Sequence, residues 1–374
     1  MKKIYSFILF TFFAAHLFSQ VGSFTFDGLV RDYRIHLPAG YNSNTKYPLV
    51  FNLHGYTSQA SEQELYSMMN QTSDAEKFIV VYPNGVNKAW NSGFLGGMQS
   101  TVDDIGFISA LIDTMNANYS VDLNRVYSCG MSNGGYQSNR MACELSNRIA
   151  AIASVTGLIT DTAAANCTLT RPMPYMQIHG TADPTVNYNG FPSSFGAEAT
   201  INFWLNKNQC ATNGDTVFMA NTNTTDLSTV KKISYSNCSG TCKVVFYKVL
   251  NGGHTWPSAL LDITSGPTNR DINANQEIWN FFKQYSLDGA VNVPVIKASI
   301  QINVFPNPTS DIIRIQSSEN IQRVTINNML GQRILEKTGN FANTEINLNG
   351  WNNGVYFIQL EGNGFKQTKR IVKE

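Results

Sequence analysis

The strand-forming run Arg125-Val126-Tyr127-Ser128-Cys129 passes without a spacer into Gly130-Met131-Ser132-Asn133-Gly134-Gly135, and a helical pattern begins near Tyr136. A chain can turn from buried strand to helix in so few residues only through a sharp, strained bend. Glycines in the G-x-S-x-G pattern remove the Cβ atoms that would clash there, and the serine is left standing at the edge of a sheet. The bare pattern also occurs by chance in Gly-rich loops. A strand before it and a helix after it make Ser132 a candidate nucleophile. The surroundings have the same grammar. Leu49–Leu53, Phe78–Tyr82, Ile149–Val155 and Pro174–Ile178 are short, apolar and rich in β-formers, as strands buried on both faces must be. Between them, Asp103–Asn118 repeats Ile105, Ile108, Ile112 and Met115 at helical spacing. Strand and helix in alternation from about Gly28 to Ser286 predict an α/β domain with a mostly parallel, doubly covered sheet.

A serine hydroxyl is a poor nucleophile at neutral pH and needs a base within reach, itself oriented by a third group. On a sheet with this elbow the partners follow in the order acid then histidine, each on a loop past a strand end. The strand Pro174–Ile178 leads into His179-Gly180-Thr181-Ala182-Asp183-Pro184, so Asp183 is the candidate acid. After Lys243–Val249 comes Asn251-Gly252-Gly253-His254-Thr255-Trp256-Pro257, so His254 is the candidate base. The other histidines fit less well: His16 lies in the leader, His36 in the first strand, and His54 and His179 precede glycines at strand ends, where packing and loop orientation are the expected roles. Asp103 and Asp104 precede the serine at a helix start, where carboxylates cap backbone N–H groups.

Acyl transfer also needs donors aimed at the oxyanion. The backbone N–H groups of Asn133, after the nucleophile, and of Tyr56, in Leu53-His54-Gly55-Tyr56-Thr57, are the candidates. Trp90, Met131 and Trp256 lie near these motifs and are expected to line an apolar substrate pocket, with burial in the core as the alternative for each.

Taken together, Leu53-His54-Gly55, Asp103-Asp104-Ile105-Gly106-Phe107-Ile108, Gly130–Gly135, His179–Asp183 and Gly253–Pro257 resemble the secreted esterases that include poly(3-hydroxybutyrate) depolymerases, feruloyl and acetylxylan esterases and some hydrolases of synthetic aromatic polyesters. The resemblance covers about residues 25–286. It implies an α/β-hydrolase fold and a cofactor-free, metal-free serine esterase acting through Ser132, Asp183 and His254 on a polymeric or small ester. Asn133 departs from relatives that often have Ala or Met there; its amide serves equally, and its side chain is expected to reshape the pocket. Two rival readings are a serine peptidase of the same fold and a non-catalytic surface binding protein. The first usually carries a large domain ahead of the hydrolase, and the second has no need of all three triad residues.

Beyond Leu287–Ala298, which reads as a linker within 287–300, the pattern changes. Ile302–Phe305, Ile312–Gln316, Val324–Asn327, Thr344–Leu348, Val355–Leu360 and Lys366–Val372 are short runs parted by Asn/Gly/Pro turns, an all-β pattern expected to form a small Ig-like sandwich. Val304-Phe305-Pro306-Asn307-Pro308-Thr309, Asn328–Gln332, Asn353–Phe357 and Lys369–Lys373 make residues 301–374 similar to the C-terminal sorting domain of type IX secretion, which implies the secretion machinery as a partner. A carbohydrate-binding β-module is the alternative reading.

At the other end, Lys2 and Lys3 precede an apolar run from Ile4 to Leu17, a signal-peptide pattern over residues 1–20 with cleavage expected near Ser19 or Gln20. The run is too short for a membrane anchor, and no later stretch would span a bilayer in the mature chain. The esterase domain is thus expected over 21–286, in a secreted monomer. Without Lys2 and Lys3 the 27 basic and 26 acidic residues become 25 against 26, a net charge of −1 with no basic patch, which argues against nucleic acid. Six cysteines in an exported chain favour disulfides over metal binding, and six allow 15 pairings. Cys129, inside an apolar strand, reads as a free buried thiol. Cys238 and Cys242 have the look of a metal half-site, but no second pair accompanies them.

Overall fold

A computed structural model describes residues 19–94, 101–262, 265–290, 302–328, 332–362 and 365–374. The expected leader, up to residue 18, lies outside the described residues. The chain divides into two compact units, Met1–Val291 and Asn292–Glu374.

The first unit is built on a ten-stranded sheet. Its strands are β1 (Gln20–Phe26), β2 (Leu29–His36), β3 (Tyr47–Leu53), β4 (Ile79–Pro83), β5 (Val121–Met131), β6 (Ala151–Val155), β7 (Tyr175–Gly180), β8 (Asp215–Phe218), β9 (Thr229–Tyr235) and β10 (Val244–Leu250), in the order β1-β2-β4-β3-β5-β6-β7-β10-β9-β8. The six central strands, from β4 to β10 in that order, are parallel to their neighbours, and the hairpins at either margin are antiparallel. Alternate residues of one strand enter different apolar layers. Leu49, Phe51, Leu53, Ile79 and Val81 belong to one buried cluster, and Val50, Val80 and Tyr82 to another. This is why the central strands read as continuous apolar runs: both faces are covered, and burying each large side chain is worth about 1.5–3 kcal/mol.

The helices are α1 (Ala60–Ser67), α2 (Met69–Glu76), α3 (Asp104–Asn118), α4 (Asn133–Glu144), α5 (Asp161–Ala165), α6 (Ala197–Lys207) and α7 (Ala274–Phe282). Asp103 caps α3 by accepting from the Gly106 N–H at 2.8 Å. Asp104 is more than a cap. It is fully buried, pairs with Arg31 at 2.7 Å and accepts from the Asn91 N–H at 2.7 Å. The Arg31 guanidinium also lies 3.8 Å from the centre of the Phe107 ring. Cys143 is bonded to Cys167 and Cys210 to Cys238, so Cys238 is no half-site; Cys129 and Cys242 are buried free thiols.

The chain beyond Ser286 starts out less like a linker than its sequence suggests. The strands β11 (Tyr285–Ser286) and β12 (Gly289–Ala290) form a small antiparallel pair, and the Leu287 N–H donates to Asn124 O at 2.9 Å, because a hairpin satisfies backbone groups that have no periodic pattern to announce them. Residues 291–301 lie outside the described residues.

The second unit is all-β: β13 (Ile302–Phe305), β14 (Ile312–Asn328), β15 (Arg333–Asn347), β16 (Gly354–Gly362) and β17 (Phe365–Lys373). The two runs expected as separate strands at 312–316 and 324–327 are one strand, β14, which crosses the polar stretch between them by register shifts against β15 and β16. Instead of two separate sheets, one five-stranded antiparallel sheet encloses a single core that includes Ile313, Ile321, Ile326, Ile358 and Ile371. Among the described residues no helix is long and apolar enough to cross a membrane.

Candidate active site

Parallel strands deliver their C-terminal ends to one edge of the sheet, and the candidate residues all lie there. The His54–Thr57 turn follows β3, Ser132 follows β5, Asp183 lies three residues past β7 and His254 four past β10. Strands β3 and β5 are neighbours, as are β7 and β10, and β6 stands between the two pairs.

Ser132 sits at φ 55°, ψ −120°, a strained backbone for a residue with a Cβ. Its N–H donates to Val155 O at 2.9 Å, and its carbonyl accepts from the Tyr136 N–H at 3.0 Å. Helix α4 begins at once, at Asn133, three residues earlier than the sequence pattern indicates. It can do so because the flanking glycines let backbones touch. A Cβ on Gly134 would lie 2.2 Å from Leu53 O, and one on Gly130 would lie 2.6 Å from Gly134 C. The elbow is thereby wedged against the end of β3, and Gly55 lies against Ser132, where a Cβ would be 3.4 Å from the serine Cβ.

The acid and base are held differently. His254 Nδ1 donates to Asp183 Oδ2 at 2.8 Å, and both side chains are buried. Asp183 Oδ1 accepts from the N–H groups of Thr185 and Val186, each at 2.8 Å. His179 Nε2 lies 3.7 Å from Asp183 Oδ2 and donates to Val186 O at 3.0 Å, closing the turn that carries the acid. Burial holds the His179 imidazole below the usual histidine range, favouring its neutral form. The acid and base loops are joined where the Ala182 N–H donates to Gly252 O at 3.0 Å, and the base loop is tied to the following segment where the His254 N–H donates to Ser265 O at 2.7 Å. With its Nδ1 proton committed to Asp183, the imidazole keeps a lone pair on Nε2, the form a general base requires.

Ser132 and His254 both line a cavity of about 450 Å³, together with Met131, Tyr56 and Thr185. Gln63, Glu62 and Tyr66 of α1 complete the wall. The sequence marks the α1 residues only by a polar helical stretch shortly after the His54–Thr57 turn. Tyr66 also accepts from the Trp256 N–H at 3.2 Å through its hydroxyl.

Two sequence expectations fail here. Trp90 and Trp256 are fully buried and do not line this cavity. The Trp256 indole donates to Asn275 Oδ1 on α7 at 3.0 Å, and the Trp90 indole donates to His54 O at 2.9 Å, each drawn inward by a buried acceptor. Nor does the Asn133 side chain reshape the pocket. It turns inward, accepting from the Trp90 N–H at 2.7 Å and donating to Ser92 Oγ at 2.9 Å.

His54 takes no part in proton transfer. Its Nε2 accepts from the Gly85 N–H at 3.0 Å and its Nδ1 donates to Gly55 O at 2.7 Å, while burial pushes its pKa down to about 4. Among the described residues no group of three or more His, Cys, Asp or Glu side chains is placed to hold a metal.

Fold and site define an α/β hydrolase with serine, histidine and aspartate at the C-terminal edge of its sheet. Residues 31–189 match the family described as esterase PHB depolymerase, and residues 303–374 match the secretion system C-terminal sorting domain. Part of the chain thus resembles the esterase PHB depolymerase family, and its C-terminal part resembles a secretion sorting domain, which indicates a place at the cell surface or outside the cell. It is 27% identical over 267 residues to a bifunctional acetylxylan esterase/xylanase of Neocallimastix patriciarum, an alignment covering 71% of this chain and 35% of that protein. It is 28% identical over 268 residues to feruloyl esterase B of Piromyces equi, covering 68% of this chain and 45% of that protein. The chain therefore spans well under two thirds of the length of these relatives. A crystal structure of a thermostable esterase aligns with a TM-score of 0.49 at 16% identity, covering 72% of this chain and 63% of that one.

Proposed function

We propose that the protein is a secreted serine carboxylic-ester hydrolase that cleaves aryl or short acyl esters carried on a polymer, by way of an acyl-enzyme. The observation that carries this reading is the 2.8 Å pair of His254 and Asp183 opening on the same cavity as a strained Ser132. Ser132 Oγ attacks the ester carbonyl as His254 Nε2 takes its proton. Asp183 holds the imidazolium, and the amides of Asn133 and Tyr56 receive the oxyanion. Collapse breaks the bond to the leaving alcohol, which takes the proton from His254. Water, deprotonated by the same imidazole, then releases the acid and restores the serine. These residues complete the cycle without a cofactor.

The cavity is of a size that suits a compact organic group; binding pockets for such groups run to about 300–1,000 Å³. Tyr56, Tyr66 and Met131 supply apolar wall, which favours an aromatic or short acyl chain. The acetylxylan and feruloyl names of the relatives support polymer-borne esters, and the export signal supports a substrate met outside the cell. Ser132→Ala is expected to lower kcat on p-nitrophenyl acetate by about 10⁶-fold, down to the residue left by the oxyanion donors. A variant that kept its activity would refute the nucleophile. Comparing methyl ferulate, acetylated xylan, hydroxybutyrate polymer and a terephthalate polyester ranks the acyl groups; equal rates on an amide series would favour a peptidase instead.

A further inference from the structure

We propose that Trp90 is a positioning residue that fixes the separation of the two oxyanion amides from behind the site. This rests on the reading of the Asn133 and Tyr56 amides as the oxyanion donors. An unbroken run of hydrogen bonds links the two. At one end stands Asn133, whose side chain accepts from the Trp90 N–H at 2.7 Å. The Trp90 indole then donates to His54 O at 2.9 Å, with its ring against the imidazole at a centroid distance of 5.0 Å. At the other end His54 Nδ1 donates to Gly55 O at 2.7 Å. That carbonyl belongs to the same planar peptide as the Tyr56 N–H, so holding one group sets the direction of the other.

The middle of this strap is itself immobilised. Asn91, next to Trp90, donates its N–H to the buried Asp104 at 2.7 Å and accepts from the Arg140 guanidinium at 2.6 Å. Ser92 accepts at its carbonyl from Thr160 Oγ1 at 3.1 Å and at its hydroxyl from Asn133 Nδ2 at 2.9 Å. Any buried indole seeks an acceptor, but the one that Trp90 finds is His54 O, next to the Gly55–Tyr56 peptide. The run finishes at one end on the Gly55–Tyr56 peptide and at the other on the side chain of Asn133, the residues whose amides face the oxyanion, and such donors are effective only when preorganised.

Trp90→Phe keeps an aromatic ring over His54 and deletes the indole donor. The measurements are kcat and KM on p-nitrophenyl acetate and the Ki of phenylboronic acid, whose tetrahedral adduct on Ser132 presents an anionic oxygen to the same donors. The expected result is a kcat lowered about 10- to 100-fold, the cost of a donor displaced rather than removed, with KM within about two-fold and the boronate Ki raised in step. Parental values of kcat and Ki, or a fallen kcat with an unchanged Ki, would overturn the proposal. If Trp90→Phe does not fold, the same constants are read on Asn133→Ala, which keeps the amide and loses the acceptor for Trp90; an unchanged boronate Ki there is equally fatal. The underlying esterase reading is judged separately by Ser132→Ala. An inert Ser132→Ala beside a fully active Trp90→Phe rejects the strap and leaves the nucleophile standing.

Discussion

Ser132 is held by backbone packed on backbone, whereas Asp183 and His254 are held by hydrogen bonds between side chains and loops. On the nucleophile side, Gly134 lies against Leu53 so closely that a single Cβ has no room, and the strained serine is the product of that contact. On the acid–base side, Asp183 has three donors, the two amides of Thr185 and Val186 and the His254 imidazole, and its position follows from where they point. The wedge at the elbow is sensitive first to volume. The acid–base pair tolerates small changes of shape and depends on which atom carries the proton. The elbow should therefore fail first under added volume, and the acid–base pair under a change of hydrogen-bonding atoms.

Between these two halves, the largest effect short of removing the nucleophile is expected from Asp183→Asn. The amide fills the same space, but its NH₂ group cannot accept the His254 Nδ1 proton, so the imidazole loses its working tautomer. A fall of about 10⁴ in kcat is expected with little change in the urea midpoint. A loss under ten-fold would mean that the acid is another residue. Gly134→Ala probes the other half. With the new Cβ 2.2 Å from Leu53 O and 2.6 Å from Leu53 C, only backbone can yield, and a loss of about 3 kcal/mol or more in unfolding free energy is expected. A variant as stable as the parent would show that the elbow is not wedged in place.

The contrast also explains what the sequence could reveal. Backbone-held features leave local signatures: a strand, glycines at fixed spacing and a serine between them identify the elbow, and the order of loops past parallel strands identifies Asp183 and His254. Directions of side chains leave none. Trp90 and Trp256 are as apolar and as near the motifs as a pocket residue would be, and only the buried acceptors His54 O and Asn275 Oδ1, remote in sequence, turn them inward. The start of α4 was masked because Gly134 and Gly135, poor helix formers, read as turn until their packing is known. Helix α1 has little apolar periodicity, so only its place after the His54–Thr57 turn points to the cavity-facing Gln63 and Tyr66. In the second unit, β14 passes Ser318–Asn320 as an irregularity between two paired stretches that end at Ser317 and resume at Ile321, and composition does not display backbone pairing.

A smaller effect bears on His54, the titratable group on the nucleophile side. Its Nε2 must stay unprotonated to accept the Gly85 N–H; protonation would set two donors face to face and release the turn that carries Tyr56. Burial has lowered its pKa from 6.5 to about 4, so between those values the unfolded chain binds a proton that the folded chain refuses. Its contribution to stability is complete above pH 6.5 and is lost as the pH falls toward 4, amounting to about 3 kcal/mol over that window. His179, also held low by burial, adds to the same acid-side loss from the other half of the site. Urea unfolding at pH 7.5 and pH 4.5 should therefore show a lower midpoint in acid. His54→Gln, less stable throughout, should show a shallower difference between the two. If the parent and His54→Gln lose the same stability between these pH values, the imidazole is not what couples protons to this turn, and the sensitivity belongs to the acid–base loops alone.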